Sequence, residues 1–288
     1  MRVLLLGGTG SIGAPVLRAL VQRGHGVVAL ARSEASAATL ERRGATVLRG
    51  DMAAPEGWIP ALPAVDGVVH LACDFASDMA AIERVLLDAL LPHLARQPAR
   101  ARFLYTGGCW LFGATGDRVG TEESPFVPLA AFTWMVPHLE RVLASNEVEG
   151  IVVHPAMVYG GDGGILRRFA HDARAGAVRV VGSESVRWPL VHCDDLAQLY
   201  VLVLEAAPAR SSYIGAAVVG MQVGQLARAF DAPYLQVVPP DVVAAELGEW
   251  ARGYACDQQL SGARARRELG WTPAHLDPVI DVHQWLRQ

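Results

Sequence analysis

The chain opens on Met1-Arg2-Val3-Leu4-Leu5-Leu6-Gly7-Gly8-Thr9-Gly10-Ser11-Ile12-Gly13, and no other stretch restricts its fold so strongly. An apolar run ends in glycines and passes directly into the helical spacing Ile12, Val16, Leu17, Leu20, which reads as strand, tight turn and helix. Such a turn suits phosphate. Glycines remove Cβ atoms where a pyrophosphate must approach the backbone, and the orphan N–H groups and positive dipole end of the helix face the anion. The stretch fits G-x-G-x-x-G from Gly8 and G-x-x-G-x-x-G from Gly7. Either spacing alone is a weak signal, but behind an apolar strand and ahead of a helix it points to a dinucleotide. The expected contacts are Gly7, Thr9, Gly10, Ser11, Ile12 and Gly13.

Val27 to Ala31 reads as a second strand, followed by Arg32, Ser33 and a helical stretch from Glu34 to Arg43. An acidic residue at this strand's end holds the ribose 2′-hydroxyl of NAD, whereas arginine accommodates a 2′-phosphate, so Arg32 with Ser33 favours NADP(H) over NAD(H). Thr46 to Arg49 is a third strand, with Asp51 and Met52 where an adenine edge would lie. Val65 to Ala72 is a fourth strand, Asp78 to Arg96 a helix, and Arg102 to Thr106 a fifth strand. Gly107-Gly108 and Cys109-Trp110 then lead into a loop ending near Pro128. Helix follows over Ala130 to Asn146, and a sixth strand over Ile151 to His154, closed by Pro155. This alternation predicts an α/β fold, a doubly wound parallel sheet of the Rossmann type.

Beyond Tyr159 the rhythm changes. Gly160, Gly161, Gly163 and Gly164 mark a flexible turn, and Arg187 to Asp195 combines an extended run with an acidic start for the helix Leu196 to Glu205, Asp194 being its expected N-cap. The predicted division is a dinucleotide-binding core over 1–160 with 190–215, and a smaller substrate lobe over 161–189 with 216–288.

Composition narrows the function. A net charge of −4 gives no electrostatic footprint for nucleic acid. No apolar run approaches a membrane span and the N-terminus lacks the zones of a signal peptide, so a soluble cytoplasmic protein is expected. Cys73, Cys109, Cys193 and Cys256 form no C-x-x-C pair, and neither a disulfide framework nor a metal site is expected. All 25 residues of the Lys+Arg total are arginines, which excludes Schiff-base chemistry on lysine and any lysine ammonium.

The chain resembles the extended short-chain dehydrogenase/reductase family, the NAD(P)-dependent epimerases and dehydratases. The resemblance rests on Gly7 to Gly13, Asp51-Met52, Val69-His70-Leu71-Ala72, His154-Pro155-Ala156-Met157-Val158-Tyr159-Gly160, Val191-His192-Cys193-Asp194-Asp195 and Ala265-Arg266-Arg267-Glu268-Leu269-Gly270-Trp271-Thr272-Pro273. It implies further cofactor contacts at Leu71, Ala72, Pro155 and Met157. A homodimer formed by the helices around Asp78 to Arg96 and Ala130 to Asn146 is also implied. Members of the family use a serine after the fifth strand and a Tyr-x-x-x-Lys on the next helix for proton transfer. The corresponding positions here are Gly108, Phe132 and Val136, none of which can move a proton. Substitutes near those positions are Thr106, Cys109 and Tyr159, with His154 and His138 also nearby. Asp74, Trp110, Phe132, Arg187 and Trp188, together with Trp134, suggest an aromatic-lined pocket for a small apolar substrate.

Three functions fit these residues. One is an atypical NADP(H)-dependent oxidoreductase acting on a carbonyl, enone or hydroxyl. Another is a redox-neutral cyclase, isomerase or dehydratase on the same fold. The last is a non-catalytic NADP(H) sensor.

Overall fold

Leu4, Leu5 and Leu6 have no exposed surface, as a strand covered by helices on both faces requires, and they lie in β1 (Arg2–Leu6). The computed structural model describes residues 1–161 and 164–287, so Gly163 of the glycine turn lies outside the described residues. After β1 come α1 (Gly13–Gln22), β2 (Gly26–Ala31), α2 (Glu34–Arg42), β3 (Thr46–Arg49), β4 (Gly67–His70), α3 (Met79–Ala95), β5 (Arg102–Thr106), α4 (Met135–Ala144) and β6 (Glu149–Pro155). The chain continues through β7 (Met157–Tyr159), α5 (Ile165–Arg174), β8 (Ala177–Val181), β9 (Arg187–His192), α6 (Cys193–Ala206) and β10 (Ser211–Gly215). It ends with β11 (Val218–Gln222), α7 (Val223–Arg228), β12 (Tyr234–Val238), α8 (Pro240–Leu247), α9 (Ala263–Leu269) and α10 (Pro278–Leu286). No described helix is long and apolar enough to cross a membrane.

Two compact units result. The first comprises Met1–Gly107, Trp134–Val153 and Ala197–Ser212, and the second Gly108–Thr133, His154–Leu196 and Tyr213–Gln288. The seven-stranded sheet runs β10-β6-β5-β4-β1-β2-β3, and its pairs β3–β2, β2–β1, β1–β4, β4–β5 and β5–β6 are parallel. The strand order reverses between β1 and β4, where Leu6 is level with His70. Connections that depart in opposite directions at such a point leave a crevice outside the carboxyl ends of the strands.

Within the first unit, α1 buries Val16, Leu17 and Leu20, the spacing legible in the sequence. Helix α3 buries Leu86, Leu87, Leu90, Leu91 and Leu94, and also Glu83, whose carboxylate meets His70 Nε2 at 2.8 Å. The helix expected from Ala130 to Asn146 is divided. Ala130–Phe132 form one 3₁₀ turn, and α4 begins only at Met135. Pro137 accounts for the break: in a continuous helix its ring would clash with the Thr133 carbonyl, whereas the first turn of a new helix tolerates it.

The second unit holds a three-stranded sheet, β11-β9-β7, and a two-stranded one, β12-β8. Its core contains Phe169, Trp188, Tyr213 and Trp271, all fully buried. Helix α6 begins at Cys193, so Asp194 occupies its first turn and is not the N-cap expected from the sequence. The structural carboxylate there is the buried Asp195, which accepts the N–H groups of Ala274 and His275, each at 2.9 Å.

Candidate dinucleotide-binding site

The turn after β1 is built on two glycines that nothing else could replace. Gly7 has φ +86°, and a Cβ there would lie 2.7 Å from the Ala72 nitrogen. A Cβ on Gly13 would lie 1.9 Å from the Gly7 carbonyl oxygen. The Gly10 N–H closes the turn on that same carbonyl at 3.0 Å. Helix α1 then starts with no acidic side chain in its first turn and no side-chain cap, which leaves its positive end open to an anion.

Above this turn lies a cavity of about 290 Å³ within the first unit. It is lined by Gly7, Thr9 and Gly10 from the turn, Leu30, Arg32 and Ser36 from β2 and α2, and Gly50, Asp51 and Met52 after β3. Leu71, Ala72, Cys73, Asp74, Ser77, Met79 and Ile82 complete the wall between β4 and α3. The side-chain-free floor, the helix end and the arginine at the rim fit a dinucleotide. Ser11 and Ile12 complete the turn, Gly13 lets it close, and Ser33 caps α2 by accepting the Ser36 N–H at 3.2 Å. Arg49, the neighbouring cation, is committed to Glu34 and to the Ser33 carbonyl, while Arg32 faces the cavity.

Asp74, expected near a substrate, lines this same cavity. The Ala76 N–H and then the Ser77 hydroxyl hold its carboxyl below the usual range, and the Arg32 charge adds to this. Cys73 is exposed as a residue, but desolvation of its thiol at the cavity wall, with Glu83 and Asp74 beside it, pushes that thiol up to about 11. Leu30, Ser36, Gly50, Cys73, Ser77, Met79 and Ile82 were not legible as site residues, since nothing in their local pattern separates them from other loop and helix positions.

In the first unit, the Thr106 hydroxyl lies 2.7 Å from that of the buried Tyr200 on α6. Val136 lies in α4, and Trp134 packs against His138 at 6.2 Å.

The remaining candidates belong to the second unit. Gly108 is extended, and the space that its Cβ would occupy is open. Cys109 is buried and its thiol is pushed up to about 12, chiefly by burial and then by Cys256. Its carbonyl accepts the Gln258 side-chain amide at 2.9 Å. Tyr159 donates its proton to Asp281 at 2.7 Å, and burial together with that carboxylate raises its pKa far above the ordinary value. His154 is buried against Phe112 and Phe126. Phe132 packs on Trp110 with ring centres 5.3 Å apart. Pro155 closes β6, and Met157 opens β7 opposite Leu190 of β9.

Arg187 and Trp188 are placed differently from a pocket lining. The Arg187 guanidinium grips Asp257 at 2.9 and 2.6 Å and Asp117 at 2.9 Å. Trp188 is buried, donates to the Tyr254 carbonyl at 3.0 Å and stacks on Phe169. Tyr200, Gln258 and Asp281 give no local signal, because each meets its partner from roughly a hundred residues or more away along the chain.

Comparison with known proteins agrees with this geometry. A 3-diazoavenalumate denitrifying reductase of a Streptomyces species is 28% identical over 96% of this chain and 97% of its own. The 2-alkyl-3-oxoalkanoate reductase of Stenotrophomonas maltophilia is 29% identical over 72% of this chain and 66% of its own. Human epimerase family protein SDR39U1, whose crystal structure contains NADPH, superposes with a TM-score of 0.79 at 22% identity, covering 99% of this chain and 98% of that one. Residues 3–215 match the model of the NAD dependent epimerase/dehydratase family, and with the glycine turn, the sheet order and the crevice in agreement, the chain belongs to that family.

Proposed function

We propose that this chain is an NADP(H)-dependent oxidoreductase that reduces a carbonyl or enone in a small, largely apolar substrate. The observation that carries the reading is the glycine-floored cavity with Arg32 at its rim. The Gly7, Thr9 and Gly10 backbone would hold the pyrophosphate, Arg32 the 2′-phosphate, and Asp51 and Met52 the adenine edge. When bound, the reduced nicotinamide supplies a hydride to the carbonyl carbon or to the β-carbon of an enone, and one proton from water completes the product. The dinucleotide is assigned to the first unit and substrate recognition to the second.

Of the three substitute groups, Thr106 is given the hydrogen bond to the substrate oxygen. Tyr200 can donate to its oxygen and leave its own proton to give, whereas the proton of Tyr159 is held by Asp281 and the Cys109 thiol is buried. The two reductases the chain resembles are named for acid anions, which supports an organic acid as the substrate class. The family resemblance supports a homodimer through α3 and α4.

Arg32→Ala tests the assignment. It removes charge-assisted hydrogen bonds to a phosphate, and NADPH affinity is expected to fall about ten- to a hundredfold while NADH affinity changes less than about twofold. Equal weakening of both, or a wild-type protein that binds neither, would refute it. A redox-neutral reading draws support from the loss of every ionisable group at Gly108, Phe132 and Val136; turnover without change in nicotinamide absorbance would select it.

A further inference from the structure

We infer that Arg168 in the second unit is the reader of a substrate carboxylate, and that the substrate is an organic acid with an aromatic or extended apolar body. This rests on the oxidoreductase reading above and adds to it the place where the acid is held. Helix α5 buries Ile165, Leu166, Phe169 and Ala170, and Arg168 beside them has its side chain 18% exposed. Its two terminal nitrogens, Nη1 and Nη2, are buried and make no hydrogen bond of ordinary geometry among the described residues, the Tyr254 side chain being the polar group that interacts with the guanidinium. A guanidinium in that position is costly unless something planar and negative completes it.

The neighbouring carboxylates are already engaged. Asp172 comes no closer than 4.0 Å to Arg168 Nε, and the same oxygen accepts the Arg179 backbone N–H at 3.2 Å. Glu246 is gripped by the Arg179 guanidinium at 2.8 and 2.9 Å. Arg187, the arginine that the sequence places in a substrate pocket, is neutralised by Asp257 and Asp117. Among the described residues, no carboxylate takes the outer fork of Arg168.

What adjoins that fork is aromatic. The Arg168 guanidinium lies 5.1 Å from the centre of the Tyr254 ring, and Tyr254 meets Trp110 edge-on at 5.8 Å and Trp250 at 5.7 Å. Trp110 continues the wall to Phe132, the position at which the family's tyrosine falls. Gly253 fixes the wall, since a Cβ there would lie 2.3 Å from the Trp110 indole. Trp110, Trp250 and Tyr254 are each only half-buried. A half-covered aromatic wall ending in such a guanidinium suits an apolar acid, with the carboxylate taken by the fork and the body laid on the rings.

Calorimetric titration with trans-cinnamate and with trans-cinnamamide, with and without NADPH, tests this. Wild-type protein is expected to bind the acid at least about tenfold more tightly than the amide, a difference typical of one charged hydrogen-bonding pair. Arg168→Gln should erase that preference and leave the amide affinity unchanged, and Arg168→Lys should keep part of it. Equal affinities for wild-type protein, binding of neither probe, or a preference that survives Arg168→Gln would overturn the assignment. The wild-type comparison stands even if a variant does not fold. NADPH binding without acid preference removes only this inference, whereas acid preference without NADPH binding removes only the dinucleotide reading.

Discussion

His154 carries its imidazole wholly inside the second unit, edge-on to Phe112 at 5.1 Å and beside Phe126 at 5.6 Å. Burial lowers its pKa from 6.5 to about 4, against a smaller raising effect of the Gly108 backbone. The unfolded chain therefore binds a proton that the folded chain refuses. Its stabilising contribution is complete above the unfolded value of 6.5 and is lost as pH falls from there toward 4. Between about pH 7 and about pH 5 the loss amounts to about 2 kcal/mol. Urea unfolding at both pH values should show wild type losing that much more stability than His154→Gln; equal losses would contradict it. The sequence marks His154 as polar and near the sixth strand, yet its burial depends on Phe112 and Phe126, which only the folded chain brings to it. Trp188 is similar: a tryptophan in an extended run reads equally as pocket or core, and its hydrogen bond to the Tyr254 carbonyl decides for core.

Among the elements, those with a local cause were legible and those with a distant cause were not. The β1 strand, the glycine turn and α1 follow from an apolar run, missing Cβ atoms and a helical spacing, all within the first twenty residues or so. The break before α4 was equally local, and Pro137 states it, but the apolar spacing over Ala130 to Asn146 masked it. At the start of α6 the sequence points to Asp194 as the cap, but the helix begins at Cys193 and Asp195 works across the fold. Asp195 accepts two backbone N–H groups and lies 3.1 Å from the His275 ring nitrogen, so it ties α6 to the segment before α10. Asp195→Ala would remove the buried acceptor that both N–H groups share and is expected to cost about 2 kcal/mol of stability, measurable by denaturant titration, whereas Asp194→Ala should cost less than about 1 kcal/mol. A reversed order would show that the anchor has been misassigned.

Across the whole molecule, the first unit repeats the plan announced by the opening glycines, and its crevice holds most of the residues expected to meet a dinucleotide. The second unit was the harder to read, because its aromatic and charged side chains meet partners from segments far apart in the chain. Cysteine placement separates the two: Cys109, Cys193 and Cys256 are buried, and Cys73 is exposed on the wall of the dinucleotide cavity. A thiol-directed fluorophore should therefore attach at a single position, slowly near neutrality because the Cys73 thiol is pushed up to about 11, and faster in alkali. Occupancy of the crevice by NADPH should shield that atom, giving the molecule an internal gauge of whether its nucleotide chamber is filled that requires neither a substrate nor a turnover assay.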